Sequence, residues 1–319
     1  MGKTATNVLR QRVPQNEEEV GTHGAKAALI ATQTRQSSKT LSWLDIEDWQ
    51  RDNEFIITGY RRLQYSWKGC LSSVFTYLHN ETVNIHSHLW GAALFIYLLA
   101  SFYPAYVSVH SETTWQDKLV VNIFLLSAIF CLFGSALFHT SICHSREVAT
   151  RCHALDYTGI VVLIVGSFFP SIYYGYFCRP RFQYFWLSLL FVMGVGAARI
   201  VLDPEYAKPT HRGARTAVFI ALGLSAVAPL GHLLLTTHHF SELLSQMGLG
   251  WLITSGAMYI IGALLYANRI PERFLPGTFD HFGASHQLFH LFVVLAALAH
   301  FKGVLTAIDF RMLQSQCSI

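Results

Sequence analysis

Seven long apolar stretches follow one another along the chain after about residue 85. Each has the roughly 20 residues that a helix needs to cross a hydrocarbon core of about 30 Å. They cover approximately residues 88–109, 118–140, 153–175, 182–203, 213–234, 246–267 and 284–308. The connections between them are too short to hold a second folded domain. We therefore predict an all-α membrane protein whose residues 88–308 form a seven-transmembrane helix bundle.

Two polar segments precede the bundle. Residues 1–40 have no periodic apolar face and are predicted to be a disordered cytoplasmic tail. After Ser42 the apolar residues recur at near-helical spacing, which predicts a short amphipathic helix on the membrane surface. These residues are Trp43, Ile46, Trp49 and Ile56. A second interfacial helix is predicted over 69–87, so that 41–87 would form cytoplasmic interfacial helices.

The composition agrees with a membrane protein. Hydrophobic residues make up 52% of the 319 positions and charged residues only 13%, against about a quarter in an ordinary soluble domain. The net charge of +4 is small and dispersed, so no nucleic-acid partner is expected. The six cysteines show no regular framework, and no structural disulfide is predicted.

Basic residues in short loops predict the orientation of the bundle. The side that carries the N-terminus has Arg61, Arg62, Lys68, Arg146, Arg151, Lys208, Arg212, Arg269 and Arg273, and the other side has Lys118, Arg179, Arg181 and Arg311. This asymmetry predicts a cytoplasmic N-terminus and a short external tail over 309–319. That orientation is opposite to G-protein-coupled receptors, whose DRY and NPxxY motifs are also absent from the expected positions.

Polar side chains inside membrane spans are costly and usually face the bundle interior, where they carry function. Here they form four groups at the ends of spans: Glu81, Asn84 and His88; Ser135 and His139; His153 and Asp156; His286 and His290. Odd spans begin on the side where even spans end. All four groups are therefore predicted to meet at one membrane face, the cytoplasmic one.

The histidines in these groups predict a metal site. His286 and His290 are four residues apart, share one helix face and can bind the same ion. His139 is predicted to lie at the same depth and to supply a third ligand. Three imidazoles with an open fourth position are typical of catalytic zinc, which we favour over copper, iron or nickel.

Two further residues suggest hydrolysis at this metal. Asp156 can accept a proton from zinc-activated water and deliver it to a leaving amine, and Ser135 can donate to the water or to a substrate carbonyl. The predicted reaction is hydrolysis of an amide or ester in a membrane lipid. For Glu81 and Asn84, helix capping or interhelical hydrogen bonding is the alternative to a catalytic role, and for His88 and His153 an interhelical hydrogen bond is favoured over metal binding.

Two other kinds of site stay open in the sequence. A loop site for a soft metal is one alternative, and its residues would be His139, Cys143, His144, Cys152 and His153. Lys302, deep in the last span, stands where a lysine that binds retinal would be expected. Because it also lies near the external end of the span, it can instead extend its charge to the lipid headgroups.

Six strings in the chain have a recognisable order and spacing. They are RDNEFIITGYR (51–61), HNETVNIHSHLWG (79–91), SALFHTSICHS (135–145), ALDYTG (154–159), PERFLPGTFD (271–280) and SHQLFH (285–290). Together they resemble the motifs of the hemolysin-III-related progestin and adipoQ receptor family, especially its adiponectin-receptor-like and fungal members. The resemblance covers about residues 41–308.

The resemblance implies seven spans, an inward N-terminus and an intramembrane zinc near the cytoplasmic face. Its ligands would be His139, His286 and His290, with Asp156 beside the water and Ser135 as the motif serine. Glu81, Asn84 and His88 would support them. Ceramidase activity has been assigned to receptor members of this family, while Lys302 and His86 depart from its usual pattern.

The leading hypothesis is a zinc-dependent amidohydrolase that releases a fatty acid and a sphingoid base from ceramide-like lipids. A second is a ligand-sensing receptor with a structural zinc and an unidentified extracellular ligand. A role in zinc or sterol homeostasis, suggested by the likeness to fungal members, is compatible with both. The expected location is the plasma membrane or the endoplasmic reticulum.

Overall fold

Seven membrane-spanning helices form the body of the protein, as predicted. The computed structural model describes residues 38–110, 113–206, 208–237, 243–244 and 246–313, and seven helices within these ranges are long and apolar enough to cross a membrane. They are Thr82–Val109, Trp115–Ser141, Arg146–Gly175, Pro180–Val201, Arg212–Thr236, Leu249–Asn268 and Ser285–Leu313. We refer to them as the first to the seventh span.

The helices extend beyond the apolar stretches that predicted them. The first span begins at Thr82, the third begins at Arg146 and the seventh continues to Leu313, because polar end residues keep the helical conformation outside the hydrocarbon core. A π-helical turn, Leu98–Phe102, lies inside the first span. The fifth span consists of two helices, Arg212–Leu224 and Val227–Thr237.

The predicted tails fall mostly beyond the described part of the chain. Of residues 1–40 only 38–40 are described, and the disorder assigned to the rest stays a prediction. Of the predicted external tail, 309–313 belong to the seventh span and 314–319 lie outside the described residues.

The segment before the first span differs from the prediction. Strand β1 (Thr40–Leu41) pairs antiparallel with β2 (Tyr60–Arg61), and two 3₁₀ turns lie between them, at Trp43–Asp45 and Asp48–Gln50. The prediction of an amphipathic helix after Ser42 is therefore wrong. The second predicted helix, over 69–87, is present in part as α1, Trp67–Thr76, and the helix of the first span begins at Thr82.

Tertiary packing explains this difference. Ile46, Ile56 and Tyr60 are buried together with Ala284, which precedes the seventh span. The backbone N–H of Trp43 donates to the carbonyl of Ile57 at 2.8 Å. These apolar residues thus belong to a folded segment, residues 40–61, which we call the N-terminal cap and which packs against the end of the bundle. A regular helix would not bring these side chains together.

The main core lies between the first, second, third and seventh spans. Phe95, Phe124, Leu132 and Val293 are among its buried side chains. The second and third spans approach closely at Gly159, where a Cβ would lie 2.8 Å from the Cα of Cys131. The functional groups described below lie at one end of this core.

The cysteines contradict one expectation. Cys178, after the third span, is disulfide-bonded, whereas no disulfide was predicted. Four other cysteines are free thiols, and all are buried: Cys70, Cys131, Cys143 and Cys152. The lack of a regular spacing between cysteines was therefore not enough to exclude a disulfide.

Candidate metal centre

Three histidine rings from two spans meet at one end of the core. His139 comes from the end of the second span, and His286 and His290 come from the first turns of the seventh. Each pair of ring centroids is 4.8 Å apart. One potential ligand atom from each ring lies within 4.8 Å of the others. The structure thus brings together the three predicted ligands, close enough to bind one metal ion.

The acidic residue at the start of the first span orients His139. Nδ1 of His139 lies 2.7 Å from Oε2 of Glu81, which also accepts from Nδ2 of Asn84 at 2.7 Å. A carboxylate only accepts, so the His139 proton sits on Nδ1. Nε2 is then free as a ligand, and it is buried with no hydrogen-bond partner among the described residues. A carboxylate behind a histidine is the usual arrangement around metal ligands.

Residues of the first span also hold His290. Its Nδ1 lies 3.0 Å from the carbonyl of Asn84 and 3.4 Å from Oγ of Ser87. His88 stacks on it, with ring centroids 3.7 Å apart and planes 5° from parallel. Both ring nitrogens of His88 are buried without a partner among the described residues, so the predicted alternative of an interhelical hydrogen bond is not formed there.

A buried glutamate that the sequence interpretation missed anchors the start of the seventh span. Glu272 is fully buried, accepts from the backbone N–H of Ser285 at 2.7 Å and from the Ser285 hydroxyl, and also accepts from Nδ2 of Asn53 at 3.0 Å. Ser285 immediately precedes His286. The contact therefore fixes the turn that carries two of the three histidines.

A buried arginine, also missed, fixes the end of the second span. Arg61 donates to the carbonyls of His139 at 2.5 Å and Thr140 at 3.3 Å, and to Oγ of Ser73 at 3.0 Å. These carbonyls belong to the last turn of the helix, where backbone acceptors lack intrahelical donors. The guanidinium thus ties strand β2 and helix α1 to the turn that carries His139.

Two thiols lie beside this arginine. Sγ of Cys70 and Sγ of Cys143 are 3.6 Å apart. Their shared hydrogen bond lowers the pKa of Cys143 to about 6, against the opposing effect of burial and with help from the positive charge of Arg61. The same hydrogen bond raises the pKa of Cys70.

Charged contacts hold the N-terminal cap against the bundle. Arg212 donates to Oδ1 of Asp52 at 3.0 Å, while Arg269 donates to Oδ1 of Asn53 at 2.8 Å and to Glu54. Burial raises the pKa of Asp52, but Arg212 and Arg269 outweigh it and lower the pKa overall. The cap is thus linked to the fifth and sixth spans near the metal centre.

A large cavity begins at the histidines and continues into the bundle. Its volume is about 560 Å³ and its walls are mostly apolar. The polar residues at its start include both catalytic candidates, and they are His88, Ser135, Asp156, His286 and His290. Asp156 interacts electrostatically with His139 and Ser135. The cluster of histidines, Ser135 and Asp156 therefore lies at one end of a mostly apolar cavity.

The two alternative sites are not formed. Within the described residues, the histidine triad is the one group of three or more potential ligands close enough for a metal. Cys143 faces Cys70, and the ring of His153 lies between those of Phe138 and Tyr157, at 4.6 and 4.1 Å. Lys302 is exposed on the outer surface of the seventh span, and not among the cavity-lining residues.

The fold and site together define a seven-span membrane protein with a buried triad of histidines able to bind a metal. The sequence profile of the family described as Haemolysin-III related matches residues 76–301. The chain is 38% identical to the adiponectin receptor protein of Drosophila melanogaster, covering 98% of this chain and 71% of that protein. It therefore belongs to the Haemolysin-III related family, as its motifs predicted.

Fungal and plant proteins are similar over comparable lengths. The ADIPOR-like receptor IZH2 of Saccharomyces cerevisiae is 40% identical over 91% of this chain and 90% of its own length. Heptahelical transmembrane protein 3 of Arabidopsis thaliana is 33% identical over 89% of this chain and 92% of its own length. These matches cover most of the chain, which contains seven helices long and apolar enough to cross a membrane, so the chain is an integral multi-pass membrane protein of the adiponectin-receptor-like type.

Proposed function

We propose that the protein is a zinc-dependent hydrolase that cleaves the amide bond of ceramide-like lipids to a fatty acid and a sphingoid base. One observation carries the proposal: His286, His290, Ser135 and Asp156 line the same mostly apolar cavity. Its volume of about 560 Å³ is in the range of ligand-binding sites. A substrate can thus place a polar amide at the histidines and its hydrocarbon in the bundle.

The three histidines suit zinc. All are neutral nitrogen donors without a cysteine or carboxylate among them, and the Glu81 contact leaves Nε2 of His139 available. When bound, zinc supplies a Lewis acid that polarises the amide carbonyl and makes water a stronger nucleophile. The proposed supporting roles belong to Glu81, Asn84 and His88, which orient or pack against the ligands.

Asp156 is proposed to handle the proton. It accepts a proton from the attacking water as the water oxygen bonds to the carbonyl carbon. It then gives that proton to the sphingoid nitrogen as the carbon–nitrogen bond breaks. Ser135 is proposed to donate its hydroxyl hydrogen to the carbonyl oxygen as negative charge develops there. Its Oγ is buried in the cavity wall beside Asp156.

The metal centre is proposed to face the cytoplasm, in the plasma membrane or the endoplasmic reticulum. The excess of basic loop residues on that side supports this orientation. The cysteines support it too, because the disulfide-bonded Cys178 lies at the opposite end of the third span from the free thiols Cys143 and Cys152. Disulfides persist in oxidising compartments, and free thiols are usual in the cytosol.

A second candidate function is a ligand-sensing receptor in which zinc is structural. The Drosophila and yeast relatives are both named as receptors. The cap formed by residues 40–61 contacts both the sixth span and the start of the seventh, which gives a path from the metal centre to a surface where partners can bind. Either function is compatible with a role in zinc or sterol homeostasis.

The substitution Asp156→Asn separates the two functions. Purified protein would be assayed for bound zinc and for fatty-acid release from a short-chain ceramide, with Asp203→Asn, exposed after the fourth span, as the control. The hydrolase proposal predicts unchanged zinc and turnover reduced by about 10²- to 10⁴-fold. Turnover equal to that of the control would contradict it, and zinc without turnover in the unmodified protein would favour the receptor.

A further inference from the structure

Two polar atoms lie deep in the cavity, away from the histidine triad. They are the hydroxyl oxygen of Tyr259, in the sixth span, and Nε2 of His300, in the seventh. Both atoms are buried and have no hydrogen-bond partner among the described residues, and both side chains line the cavity. The His300 side chain is largely enclosed, since the residue is only 7% exposed. Nothing in the proposed reaction uses either group.

The two side chains lie at similar depth. Gly262 lies against Phe292 and Gly303 lies against Trp251, so the sixth and seventh spans are antiparallel and Tyr259 lies opposite about residue 295. Side chains of a helix tilt toward its N-terminus. In antiparallel helices the tilts of Tyr259 and His300 are therefore directed toward a common level.

This level is remote from the metal centre. His300 follows His290 by ten residues, which corresponds to about 15 Å along the helix axis, and the common level lies about 10 to 15 Å from the triad. An extended chain advances about 1.2 Å per bond. A lipid with its carbonyl at the triad would therefore reach this level with about the ninth to thirteenth carbon atom, counting the carbonyl carbon as the first.

The surroundings favour a neutral partner that both donates and accepts. Cys131 and Leu163 line the cavity about 10 to 12 Å along their helices from His139 and Asp156, and no charged side chain among the lining residues lies near them along the helices. A tyrosine hydroxyl can donate. The His300 ring also contacts the backbone of Ser167. When the ring proton lies on Nδ1, facing the backbone carbonyl of Ser167, Nε2 of His300 is an acceptor.

We propose that Tyr259 and His300 form a second polar contact in the cavity, which binds a hydroxyl group at about the ninth to thirteenth carbon of the lipid chain. The hydroxyl accepts from Tyr259 and donates to His300. An unsubstituted hydrocarbon chain offers no hydrogen-bond partner to Tyr259 or His300. Only a ligand with a hydroxyl group at this position satisfies both side chains. The proposal rests on the proposed lipid-binding function and adds a selectivity for chain hydroxylation.

The test is a comparison of three fatty acids on the full-length zinc-loaded protein in detergent. Binding of octadecanoate, 12-hydroxyoctadecanoate and 2-hydroxyoctadecanoate would be measured by calorimetry. The proposal predicts that the 12-hydroxy acid binds about fivefold or more tightly than octadecanoate, and that the 2-hydroxy isomer does not gain. In Tyr259→Phe/His300→Phe the preference for the 12-hydroxy acid disappears, while octadecanoate binds at least as well as before.

Controls separate this selectivity from the hydrolase proposal. Tyr173→Phe removes a hydroxyl outside the cavity-lining set and should keep the preference. Equal binding of the 12-hydroxy acid and octadecanoate, or a preference that survives the double substitution, would overturn the proposal. Binding of none of the three acids would overturn both proposals. A preserved preference without ceramide turnover would leave the second contact standing and remove only the hydrolase.

Discussion

Nδ1 of His139 and Oε2 of Glu81 lie 2.7 Å apart, joining the second span to the residue that precedes the first. The contact is local to the metal centre, but it connects two elements far apart in sequence. It sets the tautomer of the ring and directs Nε2 toward His286 and His290. The carboxylate thus orients His139 as a potential metal ligand and leaves its Nε2 free.

Replacing this carboxylate should weaken metal binding without removing a ligand. We expect Glu81→Gln to lower zinc affinity by about 10- to 100-fold, the usual effect of losing a carboxylate behind a ligating histidine. Competition with a fluorescent zinc chelator would measure it. Glu147→Gln is a matched control, because Glu147 pairs with Arg151 at an exposed position. Equal affinities for the two variants would show that Glu81 does not orient His139.

Arg61 should matter for stability as well as for the metal. Arg61→Ala leaves the carbonyls of His139 and Thr140 without this buried donor, and hydrogen bonds to charged groups contribute about 1.5 to 3 kcal/mol each. We expect an apparent Tm lower by several degrees in zinc-free protein, and weaker zinc binding. Thermal unfolding would show this, with the exposed Arg151→Ala as control. An unchanged Tm would mean that other groups fix this helix end.

Cys143 should react as an unusually acidic thiol. Its pKa is lowered to about 6 by the hydrogen bond shared with Cys70, assisted by Arg61, so the thiolate predominates above that pH. We expect the rate of modification by methyl methanethiosulfonate, followed for each cysteine by mass spectrometry, to rise with a midpoint near pH 6. Cys70→Ala, which removes the thiol that hydrogen-bonds to Cys143, should move the midpoint upward. A midpoint near the ordinary thiol value of about 8.5 in the unmodified protein would refute the prediction.

Asp52 should hold the cap in place across the neutral range. Its pKa in the folded protein lies below the ordinary value of 3.8, so its stabilising effect is fully present above that value and is lost as the pH falls through the lowered pKa. Between pH 5 and 8 Asp52 should therefore stay ionised and protect the backbone amides of residues 52–57 from hydrogen exchange equally well. Asp52→Asn should speed the exchange of these amides. Asp48→Asn, at an exposed position, is the control. No acceleration in Asp52→Asn would contradict the proposed contact.

The sequence predicts the bundle well because a bilayer accepts few structures. Backbone groups in hydrocarbon must be bonded internally, so an apolar stretch of sufficient length forms a helix. Depth along each helix then follows from residue number, and this places His139 level with His286 and His290. The cap is different, because Ile46, Ile56 and Tyr60 are positioned by contact with Ala284, which periodicity cannot reveal.

The missed residues carry weaker signals in the sequence. Arg61 and Glu272 act through backbone atoms of distant elements, and nothing in their spacing marks those contacts. His300 had a detectable signal, since a histidine in the middle of an apolar span is costly. Its distance from the triad explains why it was not grouped with the metal ligands, and its relation to Tyr259 depends on how the sixth and seventh spans pack.

In the proposed function, the histidine triad holds a zinc ion that hydrolysis of the lipid amide requires. Metal content by mass spectrometry and ceramide hydrolysis would be measured on the same samples of unmodified protein, His286→Ala and the control His144→Ala, whose ring packs at a tilted angle against Trp67. We predict about one zinc per chain and turnover in the unmodified protein and control, and loss of both in His286→Ala. Turnover in zinc-free His286→Ala, or no zinc in the unmodified protein, would contradict the account.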